Sequence, residues 1–309
     1  MHNNYRSSKL ISHFLRYGCF FLFLFCHTIQ SEEVLILEEK IITTAEWKEI
    51  GSSHDIDEER ITRTNPIHPS NIFNQIPSVW ISRGSGQEHL TAIRSPVLTG
   101  PGACGSFLIL EDGIPTRPSG FCNVNGLFET NFENAERLEV IKGPSSARYG
   151  SNAMHGVINI VNFIDSEEKR EFSTNYGPDD YFSFKTKVKN EVLHLSTSLS
   201  KYSGFRNHSG HDQQKLFLTK KFKLKNWKAN LNIAATNLNQ ETAGYIYGLD
   251  SYKSPLEVRK NTNPEAFRDA RSSRGSLRLF RSIEDGYQSL SPYIREHSMR
   301  FLQHYLPRN

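Results

Sequence analysis

From about Glu168 the chain alternates. Phe182, Phe184, Thr186 and Val188 alternate with Ser183, Lys185, Lys187 and Lys189, and Asn190 then turns the chain. Leu193, Leu195, Thr197 and Leu199 are set against His194, Ser196, Ser198 and Ser200. Phe222 and Leu224 alternate with Lys221, Lys223 and Lys225; after a turn at Asn226, Trp227, Ala229, Leu231 and Ile233 face away from Lys228, Asn230 and Asn232. A two-residue period predicts strands with one apolar and one polar face. The turns at Asn190 and Asn226 are short, whereas 203–211 and 240–270 read as long loops. Short turns on one side and long loops on the other match a transmembrane β-barrel. A soluble β-sandwich gives the same alternation, so the pattern alone leaves both open.

Residues 71–165 have a different texture. Ser78-Val79-Trp80-Ile81 and Thr91-Ala92-Ile93-Arg94 predict short strands, and Phe107-Leu108-Ile109-Leu110 leads into Glu111-Asp112-Gly113, a Gly-containing turn, before Ile114-Pro115. Leu138, Val140 and Ile141 open, and Val157, Ile158, Ile160 and Val161 close, a stretch whose middle is rich in Gly, Pro, Ser and Asn. That middle predicts a structured connection between two strands. Ahead of this region, 51–70 reads as a polar linker in which Asp55, Asp57, Glu58 and Glu59 are solvated. Residues 32–45 read as an extended segment, able to add to another sheet's edge or to serve as the first strand of the domain's own sheet.

The N-terminus changes the setting. Arg6, Lys9 and Arg16 precede the apolar run from Cys19 to Cys26, which has the form of a secretory signal peptide cut near Gln30. The run is too short to span a bilayer as a helix, and Phe25 before Cys26 argues against lipidation. Removing this segment reduces 37 Lys+Arg against 33 Asp+Glu to 34 against 33, so charge gives no case for nucleic acid. Cys104 and Cys122 then remain in an oxidising compartment, where a disulfide is expected. Closing so short a loop would stabilise the domain by about 3 kcal/mol.

Candidate chemistry is thin. Lys142 and Ser145 fit a tight turn better than a catalytic pair, and Asp112 reads as a turn residue. His208, His211 and Asp212 could ligate a metal but fall in a predicted exposed loop and are read as solvated. No third ligand accompanies the two cysteines. No catalytic residue, metal site or cofactor is expected.

The stretch Arg137–Asn162 resembles the end of the plug domain of TonB-dependent outer-membrane receptors. Glu139, Val140, Lys142, Gly143, Pro144, Ser145, Ser146, Tyr149, Gly150, Ala153, Gly156, Val157, Ile158, Asn159 and Ile160 stand in that family's pattern, while Arg148 and His155 depart from it. Ile93-Arg94-Ser95 stands where the plug has Ile-Arg-Gly but lacks the glycine, and Asp112-Gly113-Ile114-Pro115 matches a further plug segment, so the resemblance runs from about Asn71 to Asn162. It implies an α+β plug (71–165) followed by antiparallel transmembrane β-barrel strands (166–309), preceded by a signal peptide (1–30) and a coupling segment with linker (31–70). The fold class is thus a plug domain plus an incomplete barrel.

The same resemblance implies roles. Ile41, Ile42, Thr43, Thr44 and Ala45 are similar to the box that binds the periplasmic energy-coupling protein TonB. Glu139, Lys142, Gly143, Pro144, Ser145, Arg148, Tyr149 and Gly150 would anchor the plug. Arg117, Phe121, Asn123 and Asn125, with the loop at 98–104, would meet the ligand. Trp227, Tyr176, Tyr181 and Tyr202 would form an interfacial girdle. The implied function is energised uptake of a scarce nutrient, such as a ferric siderophore, across the outer membrane, with lipid, TonB and a metal chelate as partners. About 145 residues after Ile164 make six to eight strands, against about 22 in plugged transporters, so a truncated receptor that does not transport alone is expected. A non-transporting binding or signalling remnant is the first rival. A secreted hydrolase with a β domain is disfavoured because no catalytic constellation is present.

Overall fold

The computed structural model describes residues 52–100, 103–118, 121–162, 168–284 and 286–302. The signal-peptide and coupling-box readings lie outside them.

Residues 52–161 build a small domain on a five-stranded sheet. Its strands are β1 (Ser52–Asp57), β4 (Phe107–Glu111), β5 (Ile114–Pro115), β6 (Arg137–Lys142) and β7 (Gly156–Val161), in the order β1-β6-β7-β4-β5. β4 runs parallel to β7; the other neighbours are antiparallel. Every residue of β4 is buried, which is why its sequence is a continuous apolar run rather than an alternating one. Phe107, Ile109, Leu138, Val140, Ile158 and Ile160 face one core. Leu108, Leu110, Val157 and Ala153 face a smaller one on the other side. Asp112 (φ 49) and Gly113 (φ 77) turn β4 into β5, the doubly left-handed geometry of a two-residue hairpin. Gly156 allows the β6–β7 approach: a Cβ there would run into the Ile141 carbonyl oxygen. A separate hairpin pairs β2 (Val79–Arg83) with β3 (His89–Ile93).

The expected linker at 51–70 is instead part of this domain. β1 pairs with β6 along its whole length. It runs into helix α1 (Glu58–Thr64), whose N-cap Asp57 accepts from the Arg60 amide at 2.9 Å, with Glu58 and Glu59 in the first turn. Helix α2 (Pro69–Phe73) follows, with a capping box between His68 and Asn71. Ile56, Ile61, Ile72 and Phe73 are buried. A few apolar residues spaced among charged ones hid an edge strand and two caps.

The second region is one antiparallel sheet: β8 (Lys169–Gly177), β9 (Tyr181–Lys189), β10 (Leu193–Tyr202), β11 (His211–Leu224), β12 (Trp227–Glu241), β13 (Phe267–Ile283), β14 (Gly286–Leu290) and β15 (Tyr293–Leu302). β14 and β15 both pair with β13, so they share one flank, broken near Pro292, which has no N–H to give the ladder. Connections 178–180, 203–210 and 242–266 lie at one end, and 190–192 and 225–226 at the other, where the Asn190 side chain accepts from the Val192 and Leu193 amides.

Burial on these strands is inverted relative to a soluble sandwich. Ser183, Lys185, Lys187 and Lys189 are buried, while Phe182, Phe184 and Val188 between them are only half-buried. Phe172, Leu199, Ile233 and Ile294 are exposed. The polar face turns in against the small domain and the apolar face turns out, which resolves the sequence ambiguity in favour of barrel-type strands. Among the described residues the sheet is open, from β8 to the β14–β15 flank.

Candidate functional site

The place where chemistry concentrates is the seam between the small domain and the inward face of β8–β15. The strands contribute cations and the small domain contributes carboxylates. Glu58, at the start of α1, accepts from Lys169 at 2.8 Å and from Lys187 at 2.7 Å. Glu136 meets Lys187 at 3.3 Å and Lys189 at 2.7 Å. Glu133 meets Lys215 at 2.9 Å, and the same ammonium donates to the Thr130 carbonyl and lies over the Phe132 ring. Glu88 pairs with Arg268 at 3.1 Å, and Glu111 with Arg274. Arg278 and Arg295 donate to the carbonyl oxygens of Asp112 and Pro115.

Neutral bonds fill the intervals. Asn131 donates to Ser196, Asn134 to the Thr197 carbonyl, and Thr236 to the Glu129 carbonyl. The Gln87 amide donates to Gln240 at 2.6 Å near the long-loop end. A small apolar cluster also joins the two sides, where Phe128 packs with Leu238, Ala270 and Met299.

Regular alternation on β9 places Lys185, Lys187 and Lys189 inward one below another, and burial obliges each to find a partner. Burial alone would push the Glu58 carboxyl upward, but the bonds from Lys169 and Lys187 outweigh it and hold it at about 2. Glu129 is almost wholly enclosed, and burial again pushes it up. The Arg117 guanidinium and His297 hold it at about 2. Asp112 goes the other way: burial raises it to about 6, although the Asn162 amide and side chain donate to its carboxyl.

The sequence-expected residues fall elsewhere. Glu139 binds Arg137 and accepts from Asn159, both within the small domain. Lys142 is buried and donates to the Pro77 carbonyl. The Ser145 hydroxyl donates to the Gly143 carbonyl, and its amide to the Ala153 carbonyl. Pro144, Arg148 and Gly150 are exposed, with Arg148 lying over the half-buried Tyr149 ring. These contacts lie within the small domain, and the carboxylates described above make ion pairs to the strands.

The expected ligand contacts need correction. Arg117 is 2 % exposed and is consumed by Glu129, the Cys122 carbonyl and Asn125. Asn123 is 1 % exposed. Arg117 organises the loop from inside, and two residues so enclosed are not the first that a ligand touches. Phe121 keeps an exposed edge and packs on His297. Cys104 and Cys122 are joined in a disulfide that ties this loop to the one before β4.

His211 is also corrected. It is buried at the start of β11 beside Gln87 and Tyr202 rather than solvated, while His208 is exposed near Glu241. Among the described residues no group of three or more His, Cys, Asp or Glu could hold a metal ion. Tyr176, Tyr181 and Tyr202 cluster at the long-loop end of the sheet, with Trp227 at the other.

Comparison with known proteins agrees with this geometry. The family described as TonB-dependent Receptor Plug Domain matches residues 48–157. The ferric-catecholate import receptor Fiu of E. coli K12 superposes with TM-score 0.61 at 16% identity, covering 81% of this chain and 39% of that one. FpvA of P. aeruginosa, solved with a pyoverdine–iron complex, gives 0.64 at 12%, covering 83% and 36%. The ferric yersiniabactin uptake receptor FyuA of Yersinia pestis gives 0.62 at 13%, covering 81% and 41%. The chain spans about two fifths of the length of these proteins.

Proposed function

We propose that the chain, whose residues 48–157 match the TonB-dependent receptor plug domain and whose β8–β15 are barrel-type strands packed against them, is the plug and adjoining wall of a receptor for energised uptake of a metal chelate across the outer membrane. The supporting observation is the inverted burial of the strands: polar faces inward on the plug, apolar faces outward. The chelate is a ferric siderophore, in keeping with the ferric ligands named for the similar receptors. Ile41-Ile42-Thr43-Thr44-Ala45 couples the plug to TonB by strand addition, and the signal peptide delivers the chain to the envelope. Catalysis has no part in this reading.

The test is iron-55 uptake by cells with the gene intact or disrupted, supplied in turn with a ferric catecholate, ferric pyoverdine and ferric citrate. Disruption should abolish uptake of one chelate, and Ile42→Pro should do the same while leaving chelate binding in place. Unchanged uptake of all three, with the protein absent from the outer-membrane fraction, would refute the proposal.

A further inference from the structure

Between the β4–β5 hairpin and the inward face of β11–β13 and β15 lies a cleft of about 360 Å³. Ile114, Pro115, Phe217 and Ala234 give it apolar walls, and Glu111, Arg274, Ser276, Tyr293 and Arg295 line much of the rest. The polar groups are unequally used.

The acceptors are spent. One oxygen of the Glu111 carboxylate takes the Asn131 amide at 2.9 Å and the other takes Arg274. The carbonyl oxygens of Asp112 and Pro115 accept from Arg278 and Arg295, the latter at 2.8 Å. The Asp112 carboxyl takes the Asn162 amide and side chain, and Asn232 Oδ1 takes the Thr219 hydroxyl at 2.7 Å. The donors are in surplus. A guanidinium carries five N–H groups, and among the described residues Arg295 gives only its Nη1 to a protein acceptor. Ser276 Oγ accepts from Asn232 at 3.2 Å, which leaves its own hydrogen to give. Tyr293, exposed and opposite Ser276 in the ladder, brings a second hydroxyl.

Charge points the same way. Arg274 and Arg295 face each other across the β13–β15 ladder, and like charges so opposed weaken a strand pair. Glu111 answers Arg274, but no carboxylate among the described residues answers Arg295. Lys187, Lys189 and Lys215, on the same inward face, each meet a plug carboxylate.

We infer that this cleft binds an organic carboxylate. The carboxylate takes on Arg295 the place that Glu111 takes on Arg274, where the planar fork matches its two oxygens. Ser276 and Tyr293 donate to it, and its carbon body lies against Phe217, Ala234, Ile114 and Pro115. Inorganic phosphate would satisfy the donors but leave the apolar walls without a role. The site rests on the packing of plug against wall and not on transport.

Saturation-transfer NMR on the detergent-purified protein tests it, with benzoate as the probe and benzamide as its uncharged counterpart. The wild type should bind benzoate about tenfold more tightly than benzamide. Arg295→Gln should weaken benzoate by about tenfold, the loss of a charge-assisted contact, and leave benzamide where it was. Ser276→Ala should weaken benzoate by about threefold. Arg271→Gln, exposed on the other face of β13, should change nothing. If Arg295→Gln does not fold, Ser276→Ala and the benzamide comparison still decide the matter. No benzoate binding by the wild type, equal binding of benzamide, unchanged benzoate binding in the folded variants, or equally tight binding of inorganic phosphate would each overturn the site.

Discussion

The plug sheet and the seam around it are both buried, yet they are held by opposite means. Inside the sheet, Phe107, Ile109, Leu138, Val140, Ile158 and Ile160 exclude water on one face and Leu108, Leu110 and Val157 on the other. Across the seam, among the described residues, carboxylates face lysines and arginines, with a small apolar cluster at Phe128. An apolar core is lost when opened, because every exposed side chain orders water. A polar seam can exchange each partner for water at small net cost, since paired charges gain little over solvated ones. The plug is therefore built to stay folded while its attachment to the wall is built to be exchangeable.

The contrast breaks first if the core is weakened. Phe107→Ala should destabilise the plug by about 3–5 kcal/mol, read as a fall in the urea midpoint for proteolysis within 52–161. A loss under about 1 kcal/mol would mean that the sheet is held from outside, by the seam.

Next comes one seam pair. Glu133→Gln strands the Lys215 ammonium, which is 3% exposed beside it, and should cost about 3 kcal/mol. Adding Lys215→Met should recover most of that, because removing both charges relieves their desolvation. If the double variant were as unstable as the single one, the pair would be a structural support in its own right. Reducing the Cys104–Cys122 disulfide should cost about 3 kcal/mol by loop-closure entropy. That loss should be visible as earlier cleavage near 116–125 with no change in the seam.

The two regions also differ in how far they can be read from sequence. β4, β6 and β7 are legible because burial on both faces leaves uninterrupted apolar runs, and β9–β12 because one-sided exposure leaves a two-residue alternation. β1 and α1 escaped because Ile56 and Ile61 are isolated among acids and arginines. The seam is half visible in sequence: Lys185, Lys187 and Lys189 share one face of a strand and demand counter-charges, and Glu129, Glu133 and Glu136 sit close together in the chain. Nothing local says that residues about fifty to eighty positions apart meet. The burial of Arg117 and Asn123 is not legible in sequence, because Pro118, Gly120 and Asn125 beside them have the composition of an exposed loop. The loop's own carbonyls and Glu129 draw the arginine inside.

The smallest expected effect separates the two regions by pH. Glu58 is held at about 2 in the folded protein, below its unfolded value. The unfolded chain then binds the extra proton, so the stability this carboxylate contributes is present above about 4.5 and is lost as pH falls toward about 2. Asp112 has the opposite sign: its folded value, raised to about 6, makes ionisation unfavourable, so its turn loses stability as pH rises from about 4 to about 6. Acidification should thus loosen the seam at α1 while the β4–β5 hairpin tightens. Hydrogen exchange at pH 5 and at pH 3, corrected for the intrinsic pH dependence of exchange, should show less protection in 58–64 and more around 111–114 at the lower pH. Glu58→Gln should flatten the first response and leave the second. If both segments moved together, the seam and the core would be one cooperative unit and the contrast between them would fail.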